Sequence, residues 1–252
     1  MGRFDGTVVW VTGGASGIGL ATAQRFAEEG ARVAISDMNK EASEEAVAAI
    51  TGGGGEAVSI PCDVRELSQC VDTVRAIDER WGRLDSVFAN AGILGVGLVE
   101  FVEEDDFLRV LDVNLNGVFR TAKAAMPLLK RSGGGAIVMT SSVEGLVGNM
   151  MLAAYSTSKT ALVGLCRSLA HEGGPFGVRA TCIHPGYIET PMTEPVAAMN
   201  PDFKNEWIAK TPLGRPGKPS DVAAVVAFLC SPDAAYVTGT GVVVDGGTLA
   251  IR

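Results

Sequence analysis

Short β-branched runs alternate along the chain with longer stretches whose apolar residues return at helical spacing. "TVVWVTG" precedes "GLATAQRFAEEG", "RVAISD" precedes "KEASEEAVAAI", and "AVSIPCD" precedes "ELSQCVDTVRAIDERWG". "LDSVFANAG" leads into the long helical pattern "EDDFLRVLDVNLNGVFRTAKAAMPLLKR". The alternation continues with "GAIVMTSS", a helix containing Tyr155, "VRATCIHPG", a helix near "SDVAAVVAFLC" and a last strand, "GTGVVVDGG". Seven strand–helix alternations without an internal repeat predict an α/β fold with a doubly wound, parallel, seven-stranded sheet.

One stretch breaks the rhythm. Residues 187–218 are proline-rich and irregular, with one short helix expected around "NPDFKNEWIAK". In an open α/β sheet an insertion after the carboxyl end of a late strand lies over the ligand crevice. Residues 1–252 are therefore read as one domain carrying a flap at about 187–218.

Composition narrows the setting. The chain has 252 residues, 47% of them hydrophobic, enough to bury one full core. Its net charge of −8, with basic residues scattered instead of gathered in a stripe, argues against nucleic acid or an anionic membrane as partner. The longest apolar run, "VAAVVAFLC" at 222–230, is well short of the roughly 20 residues of a membrane span. The five cysteines, Cys62, Cys70, Cys166, Cys182 and Cys230, form no CxxC pair and read as reduced core thiols. With no targeting segment visible, a cytoplasmic protein is expected. His171 and His184 lack a third ligand and are read as structural, so no metal site is expected.

The first strand ends in "TGGASGIG", with Gly13, Gly17 and Gly19 spaced G-x-x-x-G-x-G. Glycines at a strand-to-helix turn let backbone N–H groups at the helix N-terminus approach a pyrophosphate. A tight turn without a ligand would use the same residues; position at the first βα crossover favours the nucleotide. Asp37 follows the second strand, where a carboxylate can accept both ribose hydroxyls of an adenosine. Its alternative role is capping the helix that starts near Asn39. If Asp37 holds the ribose, a 2′-phosphate beside it costs roughly 4 kcal/mol per charge pair at an effective dielectric near 20. Gly14 and Met38 supply no compensating cation, so NAD is expected over NADP.

Tyr155 and Lys159 are four residues apart on a helix and project from one face. An ammonium within about 4–6 Å is expected to lower the phenol's pKa by roughly 1–3 units, making Tyr155 a usable acid or base. Thirteen residues earlier, Ser142 ends a strand in "MTSSVEG", where a hydroxyl can donate to a substrate carbonyl oxygen. Adjacent Ser141 is its competitor, and strand alternation points the two to opposite faces.

These motifs, with "CDV" at 62–64, "NAG" at 90–92, Asn114, "YSTSK" at 155–159 and "HPG" at 184–186, occur in the order and spacing of one family. The chain resembles a short-chain dehydrogenase/reductase of the branch with a single Rossmann-like domain. The resemblance implies a doubly wound sheet with helices on both faces, and Tyr155 as catalytic acid/base. Lys159 would hold the nicotinamide ribose, Ser142 would polarise the carbonyl, and Asn114 would interrupt its helix and anchor a water in the proton relay. Gly13, Ser16, Gly17, Ile18 and Gly19 would cradle the cofactor, with Asp63 and Val64 at the adenine and Asn90 at the ribose side. Pro185, Gly186, Ile188 and Thr190 would border the nicotinamide. Ordinary roles stand beside these: a helix polar residue for Asn114, a turn former for Asn90, a loop hydroxyl for Thr190. The chain departs from the family at Thr181, where an asparagine is usual, and in the glycine-rich "HEGGPFG".

The expected substrate wall is apolar, from Leu94, "LVGNMML" at 146–152 and the flap, including Met150, Met151, Leu152, Tyr187, Met192, Met199, Phe203 and Trp207. These side chains could equally close the flap or pack between subunits. Glu144 is expected to place a carboxylate at the pocket rim. The resulting expectation is an NAD-dependent oxidoreductase that interconverts a hydrophobic secondary alcohol, cyclic ones included, and its ketone. An epimerase or dehydratase with catalytic NAD, and an NAD(H) sensor without turnover, are the alternatives. The resemblance further implies a homotetramer.

Overall fold

Along β1 (Val8–Thr12), Val8 and Trp10 enter one apolar cluster and Val9 and Val11 enter another, and all four are fully buried. A strand buried on both faces requires a helical layer on each side. The computed structural model, which describes residues 2–199 and 202–251, supplies both layers. β2 (Arg32–Ser36), β3 (Glu56–Ser59), β4 (Ser86–Ala89), β5 (Gly135–Thr140), β6 (Val178–Pro185) and β7 (Thr240–Val244) complete a seven-stranded sheet of order β3-β2-β1-β4-β5-β6-β7. Every pairing is parallel.

The helices in chain order are α1 (Gly17–Glu28), α2 (Lys40–Gly52), α3 (Leu67–Trp81), α4 (Glu104–Leu111), α5 (Gly117–Arg131), α6 (Ala153–Gly173), α7 (Glu194–Met199), α8 (Phe203–Ala209) and α9 (Pro219–Cys230). Ala23 and Phe26 of α1, Ile50 of α2 and Val222 and Val226 of α9 cover one face of the sheet. Ile77 of α3, Ala122 and Leu129 of α5 and Leu162 of α6 cover the other. Burying one such leucine or phenylalanine side chain stabilises the fold by about 1.5–3 kcal/mol. Trp10 adds a buried bond from Nε1 to Ser36 Oγ at 2.9 Å, which satisfies its one polar atom.

Local signals fix where helices begin. Asn39 caps α2, its side chain accepting from the Ala42 N–H. Asp221 accepts from the Lys218 N–H at the start of α9, where Pro219 occupies a position that needs no donor.

Two elements differ from what periodicity alone predicts, the first where the resemblance implies that Asn114 interrupts its helix. The helical pattern across 104–131 is split by a π-helical turn, Asp112–Asn116, between α4 and α5. Such turns displace one backbone carbonyl from the helical ladder and re-aim a side chain. In the flap, two short helices, α7 and α8, stand where one was expected. Asn200 and Pro201, within the stretch expected to be helical, lie outside the described residues.

Strand order reverses beside β1: β2 and β3 lie to one side, β4 to the other. Chains leaving the carboxyl ends of β1 and β4 diverge there and open a crevice, the usual ligand position in such sheets. Gly13 makes the crevice possible. It has φ +63°, and a Cβ on it would lie 2.8 Å from Ala91 Cα.

Candidate active site

A cleft of about 510 Å³ runs along the carboxyl ends of the strands. One end is walled by Ser142, Tyr155 and Lys159, the middle by Gly13, Ser16, Gly17 and Ile18, and the far end by Asp37, Asp63 and Val64. Asn90, Pro185, Gly186, Ile188, Thr190 and Met192 also line it. Gly19 sits behind the turn, where a Cβ would be 2.0 Å from Gly13 O. No other residue fits that position without moving the backbone.

The catalytic end is assembled by bonds between elements remote in sequence. Lys159 is almost fully buried, and its Nζ donates to Thr140 O at the end of β5 at 2.8 Å. The same Nζ lies 5.5 Å from the Tyr155 ring centroid. The Ser142 hydroxyl acts on the Tyr155 phenol from across the cleft, favouring its ionised form. Ser142 caps a 3₁₀ turn, Val143–Gly145, its Oγ accepting from the Glu144 N–H at 3.1 Å, and its carbonyl meets His184 Nδ1 at 3.1 Å. Burial holds His184 below the usual imidazole range, so its neutral ring fits a role in packing. The competition between the two serines is resolved by geometry. Ser141 Oγ donates to Lys159 O at 2.8 Å and tethers α6 to β5, while Ser142 is the serine that influences the phenol's acidity.

Asn114 is fully buried within the π turn. Its Oδ1 accepts from the Ile93 N–H at 2.8 Å, and its Nδ2 donates to Ile93 O at 2.9 Å and to Ser158 Oγ at 3.1 Å. Ser158 Oγ in turn donates to Tyr155 O at 2.6 Å. Asn114 therefore ties the loop after β4 to the helix that carries the phenol. Asn90 does the same for three strands: its Nδ2 donates to Gly13 O at 3.1 Å, its Oδ1 accepts from Thr140 Oγ1 at 3.1 Å, and its N–H donates to Thr12 Oγ1.

Acidity at this end departs from the sequence expectation. Burial, the largest influence, pushes the Tyr155 phenol up to about 12; the Ser142 hydroxyl pulls it back and the negative charge of Glu144 adds to the rise. Lys159 is not among the groups that shift it; burial drives the Lys159 pKa down to about 8, and its ammonium donates to Thr140 O. Glu144 likewise departs from its expected place. The 3₁₀ turn folds it inward, leaving it 5% exposed instead of at a rim, with Asn149 Nδ2 donating to Oε1 at 3.4 Å.

The middle and far end fit a dinucleotide. Ser16 makes no side-chain capping bond at the start of α1, and the first turn carries no acidic residue, so its N–H groups can meet a diphosphate. Asp37 accepts one N–H on each oxygen, from Asn39 at 3.0 Å and Ala15 at 3.2 Å, which leaves both oxygens able to take a ribose hydroxyl. Asn39, not Asp37, is the helix cap.

Thr12, Ile93 and Thr140 hold this geometry together through backbone groups and a hydroxyl. Sequence reasoning missed them because their partners lie across the sheet. Of the expected substrate wall, Met192 reaches the cleft. Tyr187 and Trp207 stack on each other within the flap, ring centroids 6.2 Å apart, and Met150 is 76% exposed beside Met151. Leu152 pairs with Gly97, joining the loops after β4 and β5. The Met199 and Phe203 side chains lie outside what the structure describes.

Comparison with known proteins agrees with this geometry. A family model described as enoyl-(acyl carrier protein) reductase matches residues 13–248. The chain is 39% identical to a cyclohexanol dehydrogenase of Acinetobacter sp. (strain SE19), over 97% of this chain and 95% of the relative. It is 37% identical to the 3-oxoacyl-[acyl-carrier-protein] reductase FabG of Thermotoga maritima, over 97% and 98% of the two chains. The crystal structure of levodione reductase superposes with a TM-score of 0.94 at 39% identity, covering 99% of this chain and 100% of that one.

Proposed function

The chain belongs to the short-chain dehydrogenase/reductase family, whose oxidoreductases act on CH–OH groups, and from that premise we propose that it is an NAD-dependent dehydrogenase of hydrophobic secondary alcohols, including cyclic ones. The observation that carries this reading is that Ser142, Tyr155 and Lys159 line one end of a cleft, with Lys159 Nζ 5.5 Å from the Tyr155 ring centroid, while the other end presents Asp37.

When bound, the nicotinamide supplies the redox chemistry at the carbinol carbon. The protein's own residues handle the oxygen and its proton. In reduction the Tyr155 phenol, kept protonated near neutral pH by burial, gives its proton to the substrate oxygen; in oxidation, which high pH favours, the phenolate takes the hydroxyl proton. Ser142 Oγ donates to that oxygen and holds it facing the phenol. Lys159, anchored on Thr140 O, places a cation behind the ring and offers its remaining N–H donors to a ribose. Asn114 fixes the loop at Ile93 that closes the floor, and Asn90 fixes the turn at Gly13. Asp37 supports NAD over NADP, since a 2′-phosphate would meet its carboxylate. The flap, 187–218, forms one side of the substrate wall in this reading.

The apolar character of Ile93, Val113 and Met192 at the cleft supports a hydrophobic substrate, as does the likeness to a cyclohexanol dehydrogenase. Five buried, free cysteines support a reducing cytoplasm, and the half-exposed Leu108 and Phe119 on α4 and α5 support assembly as a homotetramer through those helices. Among the described residues no helix is long and apolar enough to cross a membrane. The test is NADH formation from NAD with a panel of cyclic and linear secondary alcohols, repeated with NADP. Turnover with NAD that falls sharply with NADP supports the reading; equal or better use of NADP contradicts the role given to Asp37. A second reading, reduction of a 3-oxoacyl thioester, is favoured by the likeness to FabG. The same assay run backwards with an acetoacetyl thioester separates the two.

A further inference from the structure

The five cysteines are all free and buried, yet they sit in different settings. Cys166 Sγ donates to Ala180 O at 3.4 Å and Cys182 Sγ to Leu162 O at 3.5 Å, so backbone carbonyls in the core hold both thiol protons. Cys62 and Cys70 instead meet each other, Sγ to Sγ at 3.9 Å. Among the described residues Cys62 is the one cysteine that lines the cleft, and it is 4% exposed; Cys70, in the first turns of α3, is fully buried. The contact with Cys70, its largest influence, holds the Cys62 thiol below the usual thiol range, and the same contact together with burial holds Cys70 above it. The nucleophilic thiolate therefore forms on the residue that borders the cleft, with a second thiol beside it to resolve an oxidised sulfur.

Cys62 also belongs to the frame of the cleft's far end. Its N–H donates to Asp37 O at 3.3 Å, the Asp63 N–H donates to Gln69 Oε1 at 2.8 Å, and Asp63 pairs with Arg65 at 2.6 Å. A disulfide requires the two sulfurs at about 2.05 Å, so one side must approach the other. Cys70 is fixed in a helix and Cys62 sits on the loop before it, so the loop shifts, at the expense of its bond to Asp37. We propose that Cys62 and Cys70 are a peroxide-sensitive thiol pair, whose oxidation to a disulfide weakens dinucleotide binding and which a bound dinucleotide shields. This rests on reading the cleft as a dinucleotide site.

The Cys62 thiolate attacks one oxygen of hydrogen peroxide, the O–O bond breaks, and the departing hydroxide takes up the proton that Cys62 released on ionising. A sulfenic acid remains on Cys62. The Cys70 sulfur attacks it, the S–O bond breaks, and the departing hydroxide takes the Cys70 proton. Two thiols have then lost two electrons, and the peroxide has become two waters.

Trypsin cuts after Arg65, so the disulfide joins two peptides that are otherwise separate. The full chain is treated with hydrogen peroxide, alkylated without reduction and mapped by mass spectrometry. Cys62 and Cys70 should be recovered linked, with Cys166, Cys182 and Cys230 still thiols. NAD at about ten times its Kd should slow the linkage about 10-fold. In calorimetry the oxidised chain should bind NAD about 10-fold more weakly, the scale of one weakened hydrogen bond to a charged group, and a dithiol reductant should restore it. Reduced Cys70→Ser should bind NAD like wild type, form no linkage under peroxide, and react with dimedone at Cys62 instead. Peroxide that leaves Cys62 and Cys70 unlinked, or that oxidises Cys166 and Cys182 as fast, would overturn the proposal. Equal NAD affinity of the oxidised and reduced chains, or linkage at an unchanged rate under NAD, would overturn it too. A reduced chain that links under peroxide but binds no NAD would overturn the dinucleotide reading and the coupling to it, an outcome the peptide map separates from failure of the thiol pair.

Discussion

The floor of the cleft and its flap are held together by different kinds of bond. On the floor, Asn90 reaches Thr12 across 78 residues of sequence, Asn114 reaches Ile93 across 21, and Lys159 reaches Thr140 across 19. In the flap, Thr193 Oγ1 bonds to Ile188 O and Thr190 O, Thr211 Oγ1 bonds to Trp207 O, and Arg215 pairs with Asp221 six residues on, while Leu213 N–H to Gly246 O and Thr211 Oγ1 to Thr248 Oγ1 tie its far part to the segment after β7. One isolated bridge, Ile188 with Gly217, ties the flap's two ends to each other. Long-range bonds among buried groups fix geometry at the cost of folding the whole sheet, while local bonds can be kept as a segment moves. Under the proposed function, proton transfer would rest on the floor, and substrate choice on the flap, whose side chains can change without disturbing the sheet.

That division can be broken at the floor. Ser142→Ala removes the donor to the reacting oxygen and should lower kcat by about 10²- to 10³-fold, with the dinucleotide Kd unchanged, in steady-state assays paired with calorimetry. Lys159 tests the floor through stability. Its folded pKa, about 8, lies below its ordinary value of 10.5. Between those values the unfolded chain holds the proton and the folded chain has released it, so stability contributed by this group rises with pH across that window and its burial cost is greatest below it. Urea unfolding should show wild type gaining up to about 3 kcal/mol relative to Lys159→Met as pH is raised through the window. Parallel curves for the two proteins would mean that the ammonium is better solvated than its position beneath Thr140 implies. At the flap the expected effect is smaller. Trp207→Ala removes the stack on Tyr187 and should change KM for bulky alcohols by about 10-fold or less while leaving kcat for small ones alone.

Much of the floor was legible in the sequence because its signals are local. The helical spacing of Tyr155 and Lys159, the glycine turn after β1 and the alternation of Ser141 with Ser142 each follow from periodicity, and the structure gathers these residues at one cleft. The seven strands were legible for the same reason. What sequence did not reveal depends on packing between distant segments. The upward shift of Tyr155 comes from burial between β5, its following turn and α6, and the inward fold of Glu144 comes from that same turn. Arg65 follows Asp63 by two residues, a spacing with no helical or strand meaning, so their pairing had no pattern to announce it. The two flap helices were read as one because proline and polar residues obscure any period there.

Tyr155 carries the proposed chemistry. The most direct measurement sets NADH formation from a cyclic secondary alcohol beside NAD binding, for wild type and Tyr155→Phe, which keeps the ring and removes only the hydroxyl. The prediction is unchanged NAD affinity with turnover lowered by about 10³-fold or more, the scale of a lost acid/base. A Tyr155→Phe protein that still turns over at near the wild-type rate would show that the proton passes through another group.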